Sequence, residues 1–412
     1  MIAVAKRFIV GMQVHFLSEL LDEGIAAALE TMSDVGGVNT LMLLTNVDEM
    51  STLSWGKLSH NPTGRRFLSV SGFTYEPHLK YYSKTKMKPK KIDENGASAF
   101  HAAIEAAENY GMERYAFILH RFPFFEEYRD SQMVDALGRQ LPGVFCYNNP
   151  EVRNLYLGMV EDLLRSYDLD GIFLDLLDHS IQFGFRTLTD EMADMLGRTS
   201  LPYPEMGLAC FCKHCRERAE KERIDVEKVR RGLLRGVSLG YIPDKVERLA
   251  RVDEVFRFLA EVPEYLEWLR FRMESNAKLH AEIHELVKSI DPSLKVALDI
   301  YSISDSWKYA ADWKKLVGSC DWIKPMFYSG TYPGAPFPPE RVYSETIAAI
   351  EETSHMVGIA PGVNACALTP EDVSKSVEQA LRAGADGVVV SWDYALIPLE
   401  SMSAARKAIE KQ

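Results

Sequence analysis

Tyr167-Asp168-Leu169-Asp170-Gly171-Ile172-Phe173-Leu174-Asp175 is a polar turn, a glycine, three apolar residues and an acid. Such a short continuous apolar run reads as a strand covered on both faces, the form parallel strands take. Its opening is echoed at Gly384-Ala385-Asp386-Gly387, which leads into Val388-Val389-Val390-Ser391-Trp392. Each is a helix exit through a tight turn into a strand. Working outward, similar strand candidates are Phe8 to Val14, Val38 to Thr45, Tyr115 to His120, Lys295 to Tyr301 and Trp322 to Phe327. Val357 to Gly362 is a weaker one.

Helical spacing of apolar residues fills the gaps, at Ser18 to Met32, Ala97 to Tyr110, Pro150 to Ser166, Pro338 to Thr353, Pro370 to Ala383 and Leu399 to Lys411. Asn149-Pro150-Glu151 and Thr369-Pro370-Glu371-Asp372 supply a cap, a proline in the first turn and acids facing the helix dipole. Eight βα units closing on a helix predict an α/β fold, the (β/α)8 or TIM barrel. A doubly wound open sheet is the alternative. Two connections exceed what a barrel needs: Asn46 to Gly96 after strand two, and His179 to Asp291 after strand four. The second predicts helices at Arg216 to Arg223, Val229 to Arg235 and Pro263 to Ser289. The expected organisation is one catalytic domain over 1–412 with a helical insertion at 179–290. Both extensions lie on the face where barrels carry their chemistry.

The 412 residues hold 47 Lys and Arg against 59 Asp and Glu, a formal net charge of −12. That balance disfavours nucleic acid as a partner. No apolar run approaches the roughly 20 residues of a membrane span. The segment before the first strand is too short for a signal peptide, so a cytoplasmic location is expected. A homo-oligomer is left open.

Polar residues at the predicted strand ends are Asn46, His120, Asp175, Asp299, Lys324 with Tyr328, Asn364, and Trp392 with Asp393. Asp178 and His179 follow Asp175 within a turn. Adjacent strands are about 4.8 Å apart, so Asp175 and Asp299 can approach to roughly 5–6 Å. Glycosidic cleavage uses such a pair, and a separation of about 5–5.5 Å goes with retention of configuration. The reading is Asp175 as nucleophile or base and Asp299 as acid, with Asp393 or Asp178 in reserve. The plainer reading makes both acids structural partners of Lys324, Arg121 or loop amides. Phe73, Tyr75, His78, Tyr81 and Tyr82 cluster after strand two, and aromatic faces stack on sugar rings. Loop packing explains such rings equally well. Asn46, Tyr82, His120, Asp178, Lys324, Tyr328, Trp392 and Asp393 are the candidate substrate contacts. Lys84, Lys86, Lys88, Lys90 and Lys91 form a basic run, a solvated edge unless an acidic sugar uses it.

Cys210-Phe211-Cys212-Lys213-His214-Cys215 places three thiols at the start of a helix. A structural zinc takes four N or S ligands, and Cys146 is the first choice for the fourth, with His214 second. Cys320 and Cys366 read as small core residues. Gly236-Val237-Ser238-Leu239-Gly240 matches a nucleophile elbow without the strand that motif needs. His280 and His284 lack the glutamate next to the first histidine that a zinc-protease helix carries.

Pro142 to Arg153, Tyr167 to Asp175, the cysteine cluster and Asp321 to Tyr328 together resemble the glycoside-hydrolase-like TIM-barrel proteins. That resemblance implies a catalytic carboxylate after strand four, here Asp175. The Cys146, Cys210, Cys212 and Cys215 set is similar to the zinc cluster of zinc-containing beta-galactosidases. Those enzymes use glutamates after strands four and seven, whereas here Asp175 ends strand four and Pro361-Gly362-Val363-Asn364 offers no acid. Aspartates after strands four and five look more like amylase-type barrels. The expected function is cleavage of a carbohydrate or other glycoside substrate. The alternatives are a non-catalytic carbohydrate-binding barrel or a metal-dependent lyase or isomerase.

Overall fold

The computed structural model describes residues 7–15, 17–47, 72–91, 94–120, 127–136, 138, 140–175, 177, 210–238, 252–306, 309–328 and 337–411. The strands are β1 (Ile9–Val14), β2 (Thr40–Leu44), β3 (Glu113–Leu119), β4 (Gly171–Asp175), β5 (Lys295–Tyr301), β6 (Trp322–Met326), β7 (in two pieces, Gly358–Ile359 and Gly362–Asn364) and β8 (Gly387–Ser391). Each pairs in parallel with the next. β8 pairs with β1, so the sheet closes into a barrel. Around it run α1 (Ile25–Gly36), α2 (Glu94–Asn109), α3 (Pro150–Ser166), α4 (Glu264–Ile290), α5 (Trp313–Leu316), α6 (Pro339–Glu352), α7 (Pro370–Arg382) and α8 (Leu399–Glu410). This is the expected TIM barrel. The weak seventh strand is weak for a reason: Pro361 has no N–H to give the ladder, and the strand breaks around it.

The Asp-Gly echo has a physical cause. Each even-numbered strand is preceded by an Asn or Asp that grips the start of the strand before it at two points. Asn39 donates its N–H to the Val10 carbonyl, and its Oδ1 accepts the Val10 N–H at 3.0 Å. Asp170 does the same to Arg114, Asp321 to Val296 and Asp386 to Ile359, with side-chain bonds of 2.8, 2.7 and 2.9 Å. The glycines that follow, Gly171 and Gly387, leave room for carbonyls of the neighbouring strand, those of Lys295 and Ile9. These clamps lie at the N-terminal face, where a barrel stores stability rather than chemistry. Asp386→Ala is expected to cost about 1–2 kcal/mol by orphaning the Ile359 N–H, which nothing else in β7 would satisfy. Denaturant unfolding measures it, and Asp386→Asn, which keeps an acceptor, is expected to stay near wild type.

Two cores follow from strand alternation. Inside the barrel, Met42, Phe117, Phe173, Ala297, Trp322 and Val389 belong to one buried cluster. The outward residues join the helices in a larger one. The insertion after β4 contributes helices Lys213–Lys221, Val226–Ser238 and Val252–Glu261 before α4. The Val252–Glu261 helix was not expected from the sequence. Short antiparallel pairings, Asn46–Val47 with Gly72–Phe73 and Gln132–Val134 with Gln140–Phe145, decorate the loops after β2 and β3. Among the described residues no helix is long and apolar enough to cross a membrane.

Candidate active site and cysteine centre

The interior positions one layer above the apolar barrel core are reached by stepping two residues up each strand. They are Gln13, Asp175, Asp299, Lys324, Gly362 and Ser391, at the C-terminal mouth. Asp175 stands in register with Asp299, and Asp299 with Lys324. Lys324 is fully buried. Its ammonium donates to Asp299 Oδ2 at 2.7 Å and to the Tyr328 hydroxyl at 2.5 Å. Gln13 donates to the same Asp299 oxygen at 3.1 Å. Gly362 makes room for this: a Cβ there would stand 2.6 Å from Lys324 Cε. Burial pushes the Asp299 carboxyl above the usual carboxylate range, against the opposing pull of Lys324, Gln13 and His15. The Tyr328 hydroxyl is pushed up well above its ordinary value by burial and by the charges of Asp299 and Asp175. Both carboxylates therefore act on the same phenol.

β8 supplies the other wall. The Ser391–Trp392 peptide is cis. Asp393 is fully buried, and its Oδ1 accepts the His15 N–H at 3.1 Å, with His15 Nδ1 3.6 Å away. The His15 ring stands edge-on to Trp392 and to Phe117, at centroid distances of 5.3 and 4.9 Å. Tyr301, Tyr309, Met326, Tyr328 and Trp392 form an apolar cluster of their own, with Tyr309 stacked on Tyr301. Cys366, expected in the core, is instead half-buried against this cluster.

Asp175, Asp299, Lys324, Tyr328, Trp392 and Asp393 are thus gathered at one mouth. His120 lies buried one residue past β3, its carbonyl accepting the Tyr156 hydroxyl. Asn46 is turned to structural work, with its amide spanning the N–H and carbonyl of Leu119. Tyr82 is not brought to the mouth. It packs against Gly158 of α3 and bonds Tyr75 at 2.7 Å and Asp162 at 3.3 Å. Asp178, His179 and Arg121 lie outside the described residues. The basic run is largely engaged: Lys88 holds the carbonyls of Tyr82 and Thr85, Lys90 pairs with Glu127 and Lys91 with Glu76. Gln13 and His15 were missed in the sequence. Gln13 is the signal, a polar residue inside an apolar strand.

Lys324→Met is expected to destabilise the fold by about 3–5 kcal/mol, since it leaves Asp299 a buried charge without its partner. The folded-state pKa of Asp299 then rises further above its unfolded value of roughly 3.9, so the folded state binds the extra proton. The loss should therefore shrink as pH falls from neutral toward that unfolded value. Denaturant melts at two pH values measure both the size and the sign.

The second constellation lies beside the barrel. Cys146 follows the strand Gln140–Phe145, Cys210 and Cys212 lead into the helix Lys213–Lys221, and Cys215 lies in its first turn. The four sulfurs are buried and lie within 4.8 Å of one another. A tetrahedron with metal–sulfur bonds of about 2.3 Å has edges of about 3.8 Å, so the donor set fits a thiolate-bound metal ion. Cys146, not His214, completes it. Sulfur-bound hydrogens from the other three push the Cys212 thiol far down, while Cys146 and Cys210 are pushed up. Backbone N–H groups of Val134 and Cys212 point at Cys210 Sγ, both at 3.4 Å. Asn148 donates to Cys215 Sγ at 3.2 Å and accepts from Arg218 at 2.6 Å. Phe211 stacks on Trp268 of α4, 4.8 Å between centroids.

No protein-family model matches the sequence, and no curated protein is similar to it. Solved structures share its fold. An alpha-L-fucosidase from Paenibacillus thiaminolyticus aligns with 98% of this chain and 50% of its own, at 14% identity and TM-score 0.51. A beta-galactosidase from the psychrophilic Marinomonas ef1 aligns with 98% and 59%, at 8% identity and TM-score 0.54. A GH42 beta-galactosidase from G. stearothermophilus aligns with 98% and 56%, at 10% identity and TM-score 0.53. The chain spans about half the length of these proteins. At such identities the likeness is one of fold: this chain is built on the TIM barrel that those glycoside hydrolases use.

Proposed function

We propose that the chain is a glycoside hydrolase that works through Asp175 and Asp299. The observation that carries this reading is their register: two carboxylates on neighbouring strands, both interior, both at the C-terminal mouth. Asp175 acts as nucleophile or base and Asp299 as proton donor, with Asp393 in reserve. The upward shift of Asp299 is the direction a proton donor needs. Trp392, the least covered ring of the aromatic cluster, is the candidate to stack on a sugar ring, with Tyr328 beside it. Neighbouring-strand spacing favours retention of configuration.

The cysteine centre is proposed to hold one zinc ion through Cys146, Cys210, Cys212 and Cys215. Four thiolates leave no open position, so the ion would cross-link the loop after β3 to the insertion and take no part in bond cleavage.

A panel of aryl and natural glycosides tests the activity, with the anomer first released read by NMR. Turnover with retention supports the reading. Turnover with inversion would place the carboxylates too far apart for this assignment. Binding without turnover would leave a carbohydrate-binding barrel.

A further inference from the structure

Among the described residues, three oxygens in the mouth of the barrel are buried and accept no hydrogen bond. They are Asp299 Oδ1, Gln13 Oε1 and Asp393 Oδ2. Their residues are not loose. Asp299 is fixed through its other oxygen by Lys324 and Gln13, Gln13 through its amide nitrogen, and Asp393 through its Oδ1 on the His15 N–H. Each residue is at least 99% buried. Buried acceptors left empty cost free energy, and native proteins seldom keep several together without a partner for them.

The Gln13 amide oxygen and the Asp393 carboxylate lack a proton to offer, so whatever completes them has to bring O–H or N–H groups. The charge at the mouth points the same way. Among the described residues, Asp299 and Asp393 share the mouth with one lysine, already bonded to Asp299 and Tyr328, and with His15, whose Nδ1 lies 3.6 Å from Asp393. Lys88, Lys90 and Lys91 of the loop after β2 are held by carbonyls and glutamates.

We infer that the site takes a sugar whose ring carries free hydroxyls or an ammonium group, and rejects sugars bearing carboxylate or sulfate. This rests on the proposed glycoside-hydrolase reading and narrows its substrate class. Gln13 Oε1 and Asp393 Oδ2 each receive a ligand donor, and Asp299 Oδ1 meets the glycosidic oxygen that it protonates. An anionic ring substituent would meet Asp393 with like charge and leave both acceptors unpaired.

The test is equilibrium binding by calorimetry to matched sets of the gluco and galacto series. Each set contains the hexose methyl glycoside, the corresponding methyl hexuronide and the 1,5-imino analogue, which is cationic. The hexuronide is expected to bind at least about tenfold more weakly than its hexoside, a like-charge cost of over one kcal/mol. The imino analogue is expected to bind most tightly. Asp393→Asn offers an amide in place of one acceptor and is expected to shrink the gap between hexoside and hexuronide, with its melting temperature as the control for folding. Equal or tighter binding of the hexuronides overturns this inference and leaves the glycoside reading standing. No binding by any member, together with no turnover in the glycoside panel, removes that reading and this inference with it.

Discussion

Asp175→Asn is expected to lower kcat on whichever glycoside the wild type cleaves by about 10²–10⁴, the range carried by one positioned catalytic group. That is a barrier increase of roughly 2.7–5.5 kcal/mol. KM and the melting temperature should change little, because asparagine has the same shape and Asp175 is already almost covered. The pattern across substrates separates the two carboxylates. If Asp175 attacks, its loss slows good and poor leaving groups alike. If Asp299 donates the proton, Asp299→Asn slows natural glycosides and largely spares aryl glycosides whose leaving group needs no proton. Full activity in Asp175→Asn would remove the assignment. Asp299→Asn carries an additional stability effect, since Lys324 Nζ bonds the oxygen that becomes part of an amide. Its kinetics therefore have to be read alongside its melt, and Asp175→Asn is the cleaner experiment.

The barrel was legible because its strands are buried on both faces. A run such as Gly171 to Leu174 has no polar residue to hide, and helices between such runs leave little choice of topology. β7 was faint because Pro361 splits it. The clamp residues were visible only as an echo, because the role of Asp170 or Asp386 lies in a bond to a neighbouring strand distant in sequence. The strand-end acids could be placed from their position after four apolar residues, and Asp299 from a break in an apolar run. Sequence could not say that Asp299 would share its oxygen with Lys324 and Gln13. The plainer reading of that acid as a partner of Lys324 describes a bond that exists, and it coexists with the upward shift burial imposes. Tyr82 shows the limit of aromatic clustering as a signal. An aromatic ring in a long loop can stack on a ligand or pack on a helix, and here the bare backbone at Gly158 drew it onto α3. His15 was missed because it follows the first strand and finds Asp393 only when the barrel closes.

Stripping the cysteine centre should have the larger effect on stability. Purified without chelator, the protein is expected to release about one zinc per chain on denaturation. Cys212→Ser is expected to lose the ion and more than about 4 kcal/mol of stability, the range that lost metals and disulfides occupy. A fall of roughly 5–10 °C in melting temperature would report it. The reason lies in what the centre joins. Cys146 is held to the loop after β3 by its N–H on the Ser131 carbonyl, and Phe211 beside Cys210 is packed on Trp268 of α4. Without a cation, four buried sulfurs within 4.8 Å of one another are left with a few N–H donors and no counter-charge at their centre. Asn148 and Arg218 would add to the hold on a bound ion, since a divalent ion with four thiolates carries two excess negative charges. The Asn148 N–H and the guanidinium behind it lie on the Cys215 side of that charge. Outer partners of this kind are worth about 10–100-fold in metal affinity, so Asn148→Ala should speed zinc release to a chelator while leaving all four ligands in place. Cys320→Ala is the control: its thiol is buried away from the cluster against the Leu316 carbonyl, and its zinc content should match wild type. Wild-type protein free of metal, or a Cys212→Ser variant as stable as wild type, would show that the tetrad packs as ordinary thiols.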